Sequence, residues 1–158
     1  MKDWGPTRES TLSIFFDVYA LEQSISRLLA TAMADSPLTP EEYAFYSAIF
    51  EDEQITPTTL SRVTGTPLTT VMDQVARLEA RGHARRSVDP RDRRATLVTL
   101  TATGLAAHRD ANRFFESGYS AFVATLPVDE ATAARWLSVI RGAVEAAAET
   151  AELTVSRA

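Results

Sequence analysis

Apolar residues recur every three or four positions along most of the chain, the spacing that turns one face of an α-helix towards a core. From about Thr11 to Met33 the positions Ile14, Val18, Leu21, Ile25, Leu28 and Ala32 step by 4, 3, 4, 3 and 4. A second helix is predicted over roughly Pro40 to Phe50 and a short third over Pro57 to Thr64. Leu68, Val71, Val75 and Leu78 form the apolar stripe of a fourth, from Pro67 to Arg81. A fifth follows from Ala102 to about Thr125. A sixth, from Asp129 to about Thr150, repeats a seven-residue rhythm through Ala133, Leu137, Ile140, Val144, Ala147 and Ala151.

Threonine-proline pairs punctuate this pattern. Thr39-Pro40, Thr56-Pro57 and Thr66-Pro67 each offer a hydroxyl at the N-cap and a proline at the first helical position, where a missing N–H costs nothing. Glu42 stands three residues after Thr39 and completes a capping box. Gly65 and Gly82 mark helix ends that call for a left-handed residue. Between the fourth and fifth helices the period changes. Ala84–Val88 and Ala95–Leu100 flank Asp89-Pro90-Arg91-Asp92-Arg93-Arg94, and the second run is β-rich. The expectation is one hairpin with a charged tip, the only sheet the chain builds.

Composition narrows the options. A chain of 158 residues with 45% hydrophobic and 23% charged residues reads as one globular domain spanning 1–158. No apolar run approaches the ~20 residues of a membrane span. Met1–Ser10 carries Lys2, Asp3, Arg8 and Glu9 and no apolar stretch, so no secretory signal is expected. The absence of cysteine excludes disulfides and thiolate metal sites, and a cytoplasmic location is expected.

Net charge is -5, an unusual balance for a nucleic-acid binder until it is mapped along the chain. Arg62 to Arg94 holds eight arginines against Asp73, Glu79, Asp89 and Asp92, a local +4; the rest carries eight basic and seventeen acidic residues, a local -9. Such asymmetry orients a polyanion towards one patch.

That patch coincides with a helix-turn-helix. Only Gly65 and Thr66 separate the third and fourth helices, which forces a sharp turn between a short helix and a longer one. In this geometry the second helix enters the major groove. With its apolar stripe committed to the core, the opposite face presents Thr69, Thr70, Asp73, Gln74 and Arg77, with Thr66 at the cap. Glutamine pairs with adenine, arginine with guanine or phosphate, and threonine with phosphate, base edge or thymine methyl. The hairpin tip supplies Arg91, Arg93 and Arg94, placed to enter a minor groove. The fold expected is mainly α with a small β-hairpin: a winged helix-turn-helix region at 38–101, flanked by long dimerisation helices at 11–33 and 102–150. The partners expected are double-stranded DNA and a second copy of the chain, whose two-fold symmetry would place the recognition helices one duplex turn, about 34 Å, apart.

Residues Leu38 to Gly104 resemble the multiple-antibiotic-resistance regulator (MarR) family. The carrying segments are Leu60-Ser61, Thr69-Thr70-Val71, Arg77-Leu78-Glu79-Ala80-Arg81-Gly82, Arg85-Arg86, Asp92-Arg93-Arg94 and Leu100-Thr101-Ala102-Thr103-Gly104. The resemblance implies a homodimer with interlocked first, fifth and sixth helices, bound to a pseudo-palindromic operator, often near its own gene, and acting as a repressor. It implies Arg93 as the minor-groove arginine and Arg94 as a brace for the wing. Three departures bear on this. Asp73 replaces a frequent basic residue, Ala76 a frequent acid that steadies the wing, and His83-Ala84 a bulky apolar pair. Asp92 or Asp89 is the expected substitute for the missing acid.

The resemblance also implies a small aromatic or lipophilic effector, held between the dimerisation helices and the winged region. Phe15, Tyr19, Tyr43 and Tyr46 are the expected lining, with Arg62 as a carboxylate partner. For a catalyst there is little material. His83 and His108 are the only histidines, and no nucleophile elbow, phosphate loop or metal-spaced histidine pair occurs. No catalytic residue, metal or cofactor is expected, and His108 reads as packing. The rival to a DNA reader is a helical protein-interaction adaptor, which leaves the arginine wing without a purpose.

Overall fold

The computed structural model describes residues 14–155. Eight elements follow in order: α1 (Ile14–Ala32), α2 (Pro40–Asp52), α3 (Pro57–Thr64), α4 (Leu68–Ala80), β1 (Ala84–Val88), β2 (Thr96–Leu100), α5 (Ala102–Val123) and α6 (Glu130–Val155). The chain divides into two compact units, Met1–Gly118 and Tyr119–Ala158. The predicted start of the first helix at Thr11 and the segment Met1–Ser10 lie outside the described residues.

In the first unit, local chemistry sets the helix ends. Thr39 accepts the Glu42 N–H while the Glu42 carboxylate accepts the Thr39 N–H, so the capping box closes in both directions. Thr56 caps α3 through the Thr59 N–H at 3.1 Å. Gly65 (φ 65°) and Gly82 (φ 69°) take the left-handed conformation that follows α3 and α4. At the third threonine-proline pair the expectation is corrected: Pro67, not Thr66, is the N-cap of α4, and no side chain caps it. The reason is the tightness of the preceding turn. The Thr66 N–H donates to the Ser61 carbonyl at 3.1 Å, and the Thr66 carbonyl accepts the Ser61 hydroxyl at 2.6 Å.

The core is built from α2, α3, α4 and the hairpin. Tyr46, Ile49, Leu60, Val71, Val75 and Val98 are fully buried. Volumes and faces match here because Val71, Val75 and Leu78 share one side of α4. Leu68 does not join them. It is 45% exposed, so the buried stripe begins one turn later than its spacing suggested.

β1 and β2 pair antiparallel, from Ala84 opposite Leu100 to Val88 opposite Thr96. The sheet also has a single-residue third member that the hairpin pattern does not announce: Ile55 exchanges both backbone bonds with Val98, at 3.1 and 2.8 Å. Ile55 directly precedes the Thr56 cap, so this bridge pins the start of α3 to the middle of β2.

α1 buries none of its residues, and its stripe from Ile14 to Leu28 remains exposed. In the second unit, Asp129 caps α6 by accepting both the N–H and the hydroxyl of Thr132, and these donors hold its carboxyl below the usual range. Trp136, Leu137 and Val139 on α6 are exposed. Among the described residues, no helix is long and apolar enough to cross a membrane.

Candidate nucleic-acid interface

The helix-turn-helix arises where α3 ends at Gly65 and α4 begins at Leu68. Core burial of Leu60 on α3 and Val71, Val75 and Leu78 on α4 fixes the rotation of both helices. That rotation leaves Thr69, Thr70, Asp73 and Arg77 exposed and Gln74 half-buried, while Thr66 is half-buried in the turn. The polar residues named from the sequence therefore share one outward face of α4.

The wing tip is organised by its own aspartates. Asp89 accepts the Arg91 N–H at 2.7 Å and Asp92 accepts the Arg94 N–H at 3.0 Å. Backbone bonds from Asp89 to the Ala95 carbonyl and from Ala95 to the Asp92 carbonyl close the loop. Two such aspartate turns fix the main chain and leave the side chains of Arg91, Arg93 and Arg94 exposed.

Asp89 and Asp92 thus steady the wing through its main chain, and a third acid, Glu79, adds a side-chain tie. Glu79 pairs with Arg86 on β1 at 3.3 Å, joining the last turn of α4 to the first strand. Sequence spacing does not reveal this pair, because it depends on how β1 crosses α4. Between α4, the start of α3 and the wing lies a groove of about 490 Å³, lined by Leu68, Met72, Arg86, Asp92 and Arg94 among others. Leu68, outside the core, is part of its lining.

A second junction ties the wing's base to the rest of the unit. The Tyr46 hydroxyl and His83 Nδ1 are 2.6 Å apart, and the His83 carbonyl accepts the Thr101 N–H at 2.9 Å. Thr101 in turn caps α5 through the Gly104 N–H. Burial raises the Tyr46 pKa, so the phenol stays protonated. Arg81 pairs with Glu42 at 2.6 Å, and this bond raises the guanidinium pKa further.

A cavity of about 770 Å³ lies between α1, α2 and α5. Of the five residues expected to line an effector cleft, the fold brings only Tyr43 to it. Tyr46 is fully buried in the core, and Phe15 and Tyr19 are 68% and 57% exposed on α1. Arg62 is exposed on α3 and does not line this cavity. The expectation is corrected because the core claims Tyr46, while the rotation of α1 turns Phe15 and Tyr19 outward.

Around Tyr43 the cavity is lined by His108, read from the sequence as packing, and by Phe50 and Phe115, which the sequence did not single out. Four rings form a ladder across α2 and α5. Phe50 lies 4.8 Å from His108, His108 stacks on Tyr43 at 5.2 Å, and Tyr43 stacks on Phe115 at 4.8 Å. The Tyr43 hydroxyl donates to Asn112, and Ser47 bonds His108 Nε2 at 3.1 Å. Burial lowers the His108 pKa, only partly offset by Glu51. The available signal was spacing: Tyr43, Ser47 and Phe50, like His108, Asn112 and Phe115, fall at i, i+4 and i+7.

Residues 36–95 match the model of the MarR family. No curated protein matches the chain. Among solved structures, the chain is similar to the PcaV transcriptional regulator of Streptomyces coelicolor in complex with its natural ligand. Identity is 26% over 85% of this chain and 93% of that one, with a TM-score of 0.66. A probable transcriptional regulator from Pseudomonas aeruginosa is 28% identical over 80% of this chain and 95% of that one, with a TM-score of 0.66. The M. tuberculosis regulator MOSR, in complex with DNA, shares the fold at 20% identity, covering 86% of this chain and 98% of that one at a TM-score of 0.72. With the helix-turn-helix, the arginine-tipped wing and the six-helix order all in place, residues 36–95 carry the MarR-family pattern, and the chain as a whole is similar to transcriptional regulators of that fold.

Proposed function

We propose that the protein is a homodimeric, sequence-specific DNA-binding transcriptional regulator, a repressor that leaves its operator when a small aromatic or lipophilic effector binds. The observation that carries this reading is the polar outer face of α4 beside a wing whose three tip arginines are exposed and form no ion pair among the described residues. Residues 38–101 are the reading unit. Thr66, Thr69, Thr70, Asp73, Gln74 and Arg77 meet the major groove and its phosphates, Arg91 and Arg93 reach the minor groove, and Arg94 braces the wing.

The dimer rests on the helices of 11–33 and 102–150. Large apolar side chains exposed along α1 and α6 need a cover, and a second copy supplies one with the same pattern. The 770 Å³ cavity is the effector site. The relatives point the same way: PcaV is a transcriptional regulator with a natural ligand, and MOSR carries the same fold on DNA. The protein works in the cytoplasm and catalyses no reaction.

Fluorescence anisotropy on the duplex upstream of the protein's own gene tests this reading, with an unrelated duplex of equal length beside it. Tight binding to the first alone, weakening steeply with salt, is expected. No binding to either at low salt would overturn the DNA reader and favour the adaptor.

A further inference from the structure

The ring ladder in the large cavity has a charge pattern of its own. Its two outer rings, Phe50 on α2 and Phe115 on α5, are each followed in sequence by a carboxylate, Glu51 and Glu116. Both carboxylates line the cavity together with the rings, and they face one guanidinium, that of Arg109. Their fields reach the ladder: Glu51 acts on both His108 and Tyr43, and Glu116 acts on Tyr43. His108 itself, buried and stripped of water, is held neutral at pH 7 and contributes no positive charge. The chain outside Arg62–Arg94, to which every cavity residue belongs, has an excess of nine acids.

Aromatic faces carry negative potential, and a cation set over them is attracted by about 0.5–2 kcal/mol for each contact. Carboxylates at both ends of the ladder add to that potential. An anionic ligand would meet two carboxylates for one guanidinium, which leaves its lost hydration undercompensated. We infer that this cavity selects a lipophilic organic cation, held over the outer rings of the ladder, Phe50 and Phe115, between Glu51 and Glu116. This deepens the reading of the cavity as the effector site and rests on it for the link to DNA release. It also reverses the carboxylate-bearing effector that Arg62 suggested.

Two probes of matched shape and opposite charge isolate the effect. Tetraphenylphosphonium and tetraphenylborate are titrated calorimetrically into the full-length protein without DNA. The cation is expected to bind at least tenfold more tightly. Replacing both acids (Glu51→Gln with Glu116→Gln) is expected to weaken the cation at least tenfold and close the gap between the probes. Both side chains are exposed, and unchanged melting would verify the fold. The comparison of probes on the unmodified protein stands independently of that variant. Equal or tighter binding of the borate, no binding of either, or indifference of the cation to the double variant would each overturn the inference. Anisotropy on the operator duplex then separates the two readings. Cation selectivity without any DNA binding supports the cavity assignment and defeats the proposed function. DNA binding with no cation preference does the reverse.

Discussion

The Tyr46 hydroxyl sits 2.6 Å from His83 Nδ1, joining the buried centre of α2 to the residue that leads from the recognition helix into the wing. Their rings meet edge to face at 5.9 Å. The bond crosses the core and links two segments that sequence spacing keeps 37 residues apart. Tyr46→Phe leaves the imidazole without its partner in a partly buried place. A loss of about 1–3 kcal/mol is expected. Urea unfolding of the two proteins checks it, and coincident midpoints would show that the bond contributes nothing.

Gly104 is where α5 passes closest to the wing's base. A Cβ at this position would fall 2.0 Å from the His83 carbonyl oxygen, and backbone cannot swing aside as a long side chain does. Gly104→Ala is therefore expected to destabilise the protein by about 1–3 kcal/mol or more, the range of forced overpacking. Thermal melting reads the change. A melting temperature equal to the parent's would mean that α5 shifts freely against the wing.

Stability should also depend on His108. Burial lowers its folded pKa below the ordinary value of 6.5, so the unfolded chain binds this proton more readily. The neutral ring's contribution is complete above the ordinary value and drains away as pH falls through it towards the folded one. Unfolding midpoints are expected to drop between pH 7.5 and pH 5.5, and to drop less in His108→Gln. An equal fall in both proteins would assign the pH dependence to other groups.

On DNA, the wing and the recognition helix should fail differently. Arg93→Ala is expected to cost about 1–3 kcal/mol of operator affinity and to flatten the salt slope by about one. Gln74→Ala should instead reduce discrimination among operator variants, with little change in the salt slope. Anisotropy titrations across salt concentrations and single-base operator changes distinguish the two. Identical behaviour would mean that helix and wing do not divide the task.

Asp73 stands on the exposed face of α4, and on the proposed reading its carboxylate would repel phosphate while accepting from cytosine. Asp73→Asn is expected to strengthen binding to unrelated duplexes several-fold and to narrow the preference for the operator. Unchanged affinity for the unrelated duplex would remove Asp73 from the interface.

What could be read from the sequence follows the range of the chemistry involved. Thr39, Glu42 and Thr56 announce helix starts because a cap is made by groups three residues apart. Gly65 and Gly82 announce ends for the same local reason. The third threonine-proline pair misleads because the turn before it recruits Thr66 for its own closure. Longer-range outcomes are decided by packing. Ile55 joins the sheet through Val98, and Glu79 ties α4 to the wing's first strand through Arg86. The ring ladder pairs α2 with residues some sixty positions away, so neither helix announces it alone. Aromatic richness marks α1 and α2 in the sequence, but packing sorts the rings: the core takes Tyr46 and leaves His108 to the cavity.

The contact between Gly104 and His83 also sets where this protein can be cut and rejoined. An engineer grafting its DNA-reading head onto another sensor would naturally place the seam at the end of β2, where the family match has already stopped. That seam would separate Thr101 and Gly104 from the carbonyl they were shaped around, and an incoming helix with any side chain at that point would not seat. The transplantable block therefore runs past the hairpin into the first turn of α5. Reading head and sensor share that turn, so exchanging one means carrying a piece of the other.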